Sequence, residues 1–143
     1  MAVTPNSIIT PQNPYCKFAD LTAATGLTSR APITGTTGTV ELATTSAAGM
    51  QVASIQVKAA SSAQSATVAQ IVYIWEFDGT TSWLVDEIVV SAQTPSTTAV
   101  SFQVKNYYSG WTIPATHSLR ASTSVTTLAN TTALIVQVLG GTL

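Results

Sequence analysis

The sequence predicts an all-β fold: an antiparallel β-sandwich, jelly-roll-like, of about eight strands, with an extended N-terminal arm. Three observations predict it. Short runs rich in Val, Ile, Thr and aromatic residues alternate with Gly, Pro, Ser and Asn clusters from Tyr15 onward. Several runs show period-two alternation of apolar and polar residues, the pattern of a strand with one buried face. Residues 71–90, IVYIWEFDGTTSWLVDEIVV, read as two long strands joined by a tight turn. An immunoglobulin-like sandwich of seven to nine strands fits the same spacing nearly as well.

The first 14 residues carry Pro5, Pro11 and Pro14. Each proline fixes φ, removes a donor and pushes its predecessor to extended geometry. The stretch 1–14 therefore reads as an extended arm that either frays or lies along a neighbouring subunit, and 15–143 as one domain. Strands are expected at 15–22, 37–43, 51–59, 66–77, 82–92, 99–105, 117–126 and 132–139. In QVASIQVKA, Val52, Ser54, Gln56 and Lys58 are expected on one face, with Ala53, Ile55 and Val57 on the other. In AVSFQVKN, Val100, Phe102 and Val104 share a face. In HSLRASTSVTT, Leu119, Ala121, Thr123 and Val125 do. The run ALIVQVLGG is apolar on both faces, as a central strand should be. Residues 21–38 are Thr/Gly-rich and read as a long loop, with room for a helical turn near Asp20–Ala24.

At 143 residues the chain is one domain, long enough to bury a core without disulfides. Charged residues make up 8%, against about 25% in an ordinary soluble domain. The 25 threonines and 15 serines supply the polar surface instead. Weak charge repulsion between copies suits a protein packed among neighbours. The five basic residues, Lys17, Arg30, Lys58, Lys105 and Arg120, form no stripe, so nucleic acid is not expected as a partner. No apolar run of membrane-spanning length occurs and the N-terminus lacks the charge pattern of a secretory signal, so no membrane partner is expected. Cys16 is the single cysteine and can form no intrachain disulfide.

Of the six acidic residues, Glu76, Asp78, Asp86 and Glu87 fall in the hairpin, interleaved with Trp75 and Trp83. Carboxylates beside tryptophans raise the question of a sugar-cleaving site. With Phe77 facing Trp83, Trp75 facing Val85 and Tyr73 facing Glu87, the Glu76 and Asp86 side chains would be diagonal neighbours, about 7–8 Å apart. That spacing suits an inverting glycosidase, but any diagonal hairpin pair has it. Acids that keep an apolar hairpin soluble explain the cluster more simply. His117 is the only histidine, no G-x-S-x-G elbow is present, and no metal-ligand or phosphate-loop spacing occurs. Neither catalysis nor a cofactor is expected. Tyr107, Tyr108 and Trp111 in YYSGW are read as a loop around a Ser-Gly turn. Together with Trp75 and Trp83 they offer a second reading, a carbohydrate-binding or adhesion face.

The proline-punctuated start TPNSIITPQNP, the middle QVASIQVKAASSAQSATVAQIVYIWEFDGTTSWLVDEI and the PATHSLRASTSV run before the last apolar strand together resemble small β-sandwich virion proteins of tailed bacteriophages. The likeness is especially to the capsid decoration, or cement, type. The resemblance is one of texture across most of the chain. It implies a homotrimer on the outer capsid surface of the virion, bridging major capsid proteins, with terminal arms supplying part of the contact and no enzymatic residues. The contact elements expected on that basis are the arm (Val3, Ile8, Ile9), the aromatic loop (Tyr107, Tyr108, Trp111) and the hairpin tip from Asp78 to Ser82. A neck, tail or fibre position in the virion is the alternative placement.

Overall fold

The structure is a computed structural model that describes residues 13–21, 25–59, 67–125 and 134–143. The described residues form nine strands: β1 (Asn13–Leu21), β2 (Ile33–Thr34), β3 (Val40–Thr44), β4 (Met50–Ala59), β5 (Gln70–Phe77), β6 (Thr81–Val90), β7 (Gln103–Ile113), β8 (Ser118–Thr123) and β9 (Leu134–Thr142). They form two antiparallel sheets, ordered β1-β9-β4-β7 and β2-β6-β5-β8-β3. Leaving β2 aside, the pairs β1/β9, β3/β8, β4/β7 and β5/β6 nest inside one another along the chain. One long folded-over hairpin, wrapped so that alternate pairs fall in opposite sheets, is the winding of a jelly roll. The β5–β6 hairpin is its innermost pair. Its turn is held by Asp78, whose Oδ1 accepts from the N–H groups of Thr80 and Thr81, while Gly79 supplies a φ of +99°.

The core fills the space between the sheets. Met50, Val52, Ile55 and Val57 of β4 and Leu134, Val136 and Val138 of β9 meet Val72 and Ile74 of β5, Ile88 and Val90 of β6, and Leu119 and Ala121 of β8. Most are fully buried, and each such side chain contributes roughly 1.5–3 kcal/mol by leaving water. The central position expected for the last strand is observed, since β9 lies between β1 and β4.

Irregularities account for the departures from expectation. Ala53 is an extra residue in β4: Val52 pairs with Gly140 and Ser54 with Leu139. The bulge resets the side-chain alternation, so Val52, Ile55 and Val57 all reach the core although strict alternation puts Val52 opposite the other two. Asp20 and Leu21 close β1 rather than opening a helical turn, and residues 22–24 of that expectation lie outside the described residues. The strand expected to stop near residue 105 runs on to Ile113.

The region expected as a plain loop does structural work as a strap across the outer face of the five-stranded sheet. Leu27 N–H donates to Thr123 O at 2.7 Å, beside a parallel bridge between Gly26 and Thr123. The Arg30 guanidinium lies 5.6 Å from the Tyr73 ring centre and pairs with Glu87. Ile33 and Thr34 then pair with Ser82 and Thr81 as β2, and Gly35 N–H donates to Thr80 O. Thr39 finally accepts from Arg120 through its hydroxyl and its carbonyl. Under the strap lie Tyr73 and Trp75, edge-to-face with ring centres 6.0 Å apart and both buried. Tyr73 and Trp75 alternate with the core residues Val72 and Ile74, so this sheet buries side chains on both faces.

Candidate functional site

Each hairpin acid has its own local task. The expected pairing of Tyr73 with Glu87 is observed, but Val85 bulges out between Asp86, which pairs with Ile74, and Leu84, which pairs with Trp75. From there to the turn the register differs by one residue: Glu76 faces Trp83 and Phe77 faces Ser82, in place of the expected Trp75–Val85 and Phe77–Trp83 pairs. Glu76 Oε1 lies 2.6 Å from His117 Nδ1. Asp86 accepts the Tyr108 hydroxyl on Oδ2 and the Glu87 N–H on Oδ1. Glu76 and Asp86 are thus held by partners on different elements. Glu87 pairs with Arg30 of the strap. Asp78 is pulled down to about 2 by the Thr81 N–H, the indole N–H of Trp83 and the Thr80 N–H, all of which bond its charged form.

The aromatic segment is a strand, not a loop. Val52 pairs with Trp111 and Ser54 with Tyr107, so Tyr108, Ser109 and Gly110 stand opposite Ala53 alone. Gly110, at φ +73° and with open space around it, supplies the left-handed backbone at this three-residue bulge. The bulge separates the three aromatics. Tyr107 stays 77% exposed, with the Lys105 ammonium 5.0 Å from its ring centre. Tyr108 and Trp111 turn inward and pack on the core edge, rings 4.7 Å apart at 60°. Between them and the bulged strand lies a cleft of about 280 Å³ lined by Val85, Asp86, Tyr108 and Trp111. Burial first, and the Asp86 carboxylate second, push the Tyr108 phenol well above its usual range.

Among the described residues no segment straps the outer face of the four-stranded sheet. Its cross-strand register aligns three rows: Cys16, Leu139, Ser54 and Tyr107; Phe18, Gln137, Gln56 and Lys105; Asp20, Ile135, Lys58 and Gln103. Phe18 is 62% exposed and lines a shallow depression with Gln56, Lys58, Ile135 and Gln137. The Gln137 amide reaches Cys16 Sγ at 2.9 Å. The alternation of QVASIQVKA already places Ser54, Gln56 and Lys58 together on this face, and the Ala53 bulge takes only Val52 out of that set.

Other expected contact residues are placed as follows. Val3, Ile8 and Ile9 lie outside the described residues. Asp78 is at the hairpin tip, as expected, but its oxygens are taken by its own turn and by Trp83. Ser82 is fully buried, because its hydroxyl donates to Gly35 O of the strap at 2.8 Å. Trp75 is buried, while Trp83 is 49% exposed. Among the described residues no three His, Cys, Asp or Glu side chains converge as metal ligands, and no helix is long and apolar enough to cross a membrane.

No family model, curated protein or solved structure matches this chain.

Proposed function

We propose that the chain is a structural virion protein of a tailed phage, decorating and cementing the capsid by bridging major capsid subunits, with a homotrimer as its assembled form. The observation that carries the reading is the outer face of the four-stranded sheet, which no described segment straps. It offers Phe18, Ile135 and Tyr107 among glutamines and two lysines, with little opposing charge. Apolar side chains spaced among neutral amides suit a surface that docks by shape and desolvation. Sheet-on-sheet packing keeps that surface rigid, so little order is lost on docking. The edge strand β1 begins at Asn13, and the twelve residues before it include Val3, Ile8 and Ile9. An arm leaving from a sheet edge can reach a neighbouring subunit and multiply weak contacts. Since a sandwich fold hosts many functions, the capsid role rests on the textural resemblance and on this face together.

The test is proteomic and then structural. Purified virions of the encoding phage should contain the chain in fixed ratio to the major capsid protein, with its density on the outer shell. Absence from particles overturns the reading; density confined to the neck, tail or a fibre moves the chain to the alternative placement. Phe18→Asp should lower shell occupancy while the purified protein keeps its unfolding midpoint. Full occupancy by that variant would remove this face from the interface.

A further inference from the structure

The cleft between β6 and β7 combines features that the proposed docking face does not use. Asp86 sits partly buried in it, and both its oxygens accept hydrogen bonds, from the Glu87 N–H and the Tyr108 hydroxyl, as a carboxylate's do. The ion pairs among the described residues engage Glu41, Glu76 and Glu87, and none engages Asp86. A negative charge is therefore fixed at an aromatic wall without a counter-charge. Tyr108 holds the carboxylate in place, and Trp111 packs beside it, so both aromatic rings and the carboxylate line the same space. A cation entering there would gain the Coulomb attraction of Asp86 and the attraction of the rings at once.

We propose that this cleft receives the ammonium or guanidinium of a lysine or arginine side chain carried by a neighbouring protein of different sequence. Most of the chain's own basic groups are already engaged, which favours a donor of different sequence over a second copy. Arg30 pairs with Glu87, Arg120 with Glu41, and Lys105 lies over Tyr107, which leaves only Lys17 and Lys58 of the five. The proposal does not depend on the virion role, since any basic side chain presented by an adjoining subunit fits the same chemistry. The cleft accommodates a side chain rather than a large ligand, for it is open and shallow and four residues line it.

Small probes isolate the contact. The full-length protein is titrated with n-butylammonium, n-butylguanidinium and n-butanol while the three indole N–H resonances are followed by NMR. Trp111 should shift saturably with both cations, with Trp75 as the buried reference, and butanol should bind about tenfold more weakly. Asp86→Asn should reduce cation binding to the level of butanol, with the Trp75 resonance reporting that the variant is folded. If that variant does not fold, the comparison of cation with alcohol on the wild type decides alone. Equal binding of cation and alcohol, no shift at Trp111, or an unaffected Asp86→Asn variant overturns the proposal. A Trp111 shift that appears on concentrating the protein without probe would assign the cleft to a second copy and overturn the assignment to a different protein.

Discussion

The Trp75 indole N–H donates to the Ser122 hydroxyl at 2.8 Å, and both residues are fully buried although they lie on the face turned away from the inter-sheet core. The pair is possible because the strap closes over that face. An indole shut away from water needs its one donor satisfied. The bond ties β5 to β8 beneath the strap, which is itself held to the sheet by separate contacts from Leu27, Arg30, Gly35 and Thr39.

Ser122→Ala should leave that donor buried and unpaired. The expected cost is about 1–3 kcal/mol, the penalty for desolvating a polar group without a partner. Urea unfolding followed by tryptophan fluorescence measures it, with Ser109→Ala on the exposed side of β7 as a control that should change little. A Ser122→Ala midpoint equal to the control would mean that water reaches the indole and that the strap does not seal the face.

The strand composition of the chain was legible in its sequence, and so was the hairpin, because alternation and turn chemistry are local. The bulges were not. Ala53 and Val85 each add one residue to a strand with no glycine or proline beside them, and each reassigns every side chain beyond it in the strand. The Ser109–Gly110 pair carried a turn signal, yet it serves a bulge inside β7. The strap was hidden for another reason. IVYIW has apolar residues at consecutive positions, so both faces of β5 need cover, but nothing local says whether a partner or the chain itself supplies it. Here Arg30, Gly35 and Thr39 supply it from within the chain.

Asp78 should give stability an acid dependence. Its carboxyl falls from 3.8 to about 2 in the folded protein because three N–H groups bond the charged form. A depressed carboxylate stabilises fully above its unfolded value, and the contribution disappears as pH falls from about 4 toward 2. In Asp78→Asn the side-chain oxygen can still accept from the turn, but the titrating group is gone. Its thermal midpoint should therefore fall less steeply across that window than that of the wild type. Parallel midpoint curves would show that the turn does not feel the charge.

The alkaline side is governed by half-buried phenols. Burial raises Tyr15 from 10.0 to about 12, with its hydroxyl donating to Met50 Sδ at 3.0 Å, and raises Tyr108 in the same direction. A group whose folded value is raised contributes fully below its unfolded value and is lost as pH rises through the folded one. Stability should therefore decline between about pH 10 and 12. Tyr15→Phe should make that decline shallower. Phenolate absorbance recorded beside far-UV circular dichroism would check it; ionisation of Tyr15 well below the unfolding transition would contradict its burial.

Gly140 pairs with Val52 at the point where Ala53 bulges from β4, and the two backbones meet there closely. A Cβ on Gly140 would lie 2.1 Å from the Gln51 carbonyl oxygen and 3.0 Å from the Tyr15 hydroxyl. The carbonyl belongs to the sheet backbone and cannot rotate aside, so Gly140→Ala must move β9 against β4 or push Tyr15 off Met50. Overpacking of this kind costs about 1–3 kcal/mol or more. Gly79 in the hairpin turn gives the comparison: its φ is +99° but nothing lies within 4 Å of its Cβ position. Gly79→Ala therefore carries only the conformational penalty, about 1–2 kcal/mol. Urea midpoints should rank Gly140→Ala below Gly79→Ala, and the Gly140 variant should also bring forward the alkaline transition as Tyr15 loses its cover. The reverse ranking would show that β9 can shift freely at its C-terminal end.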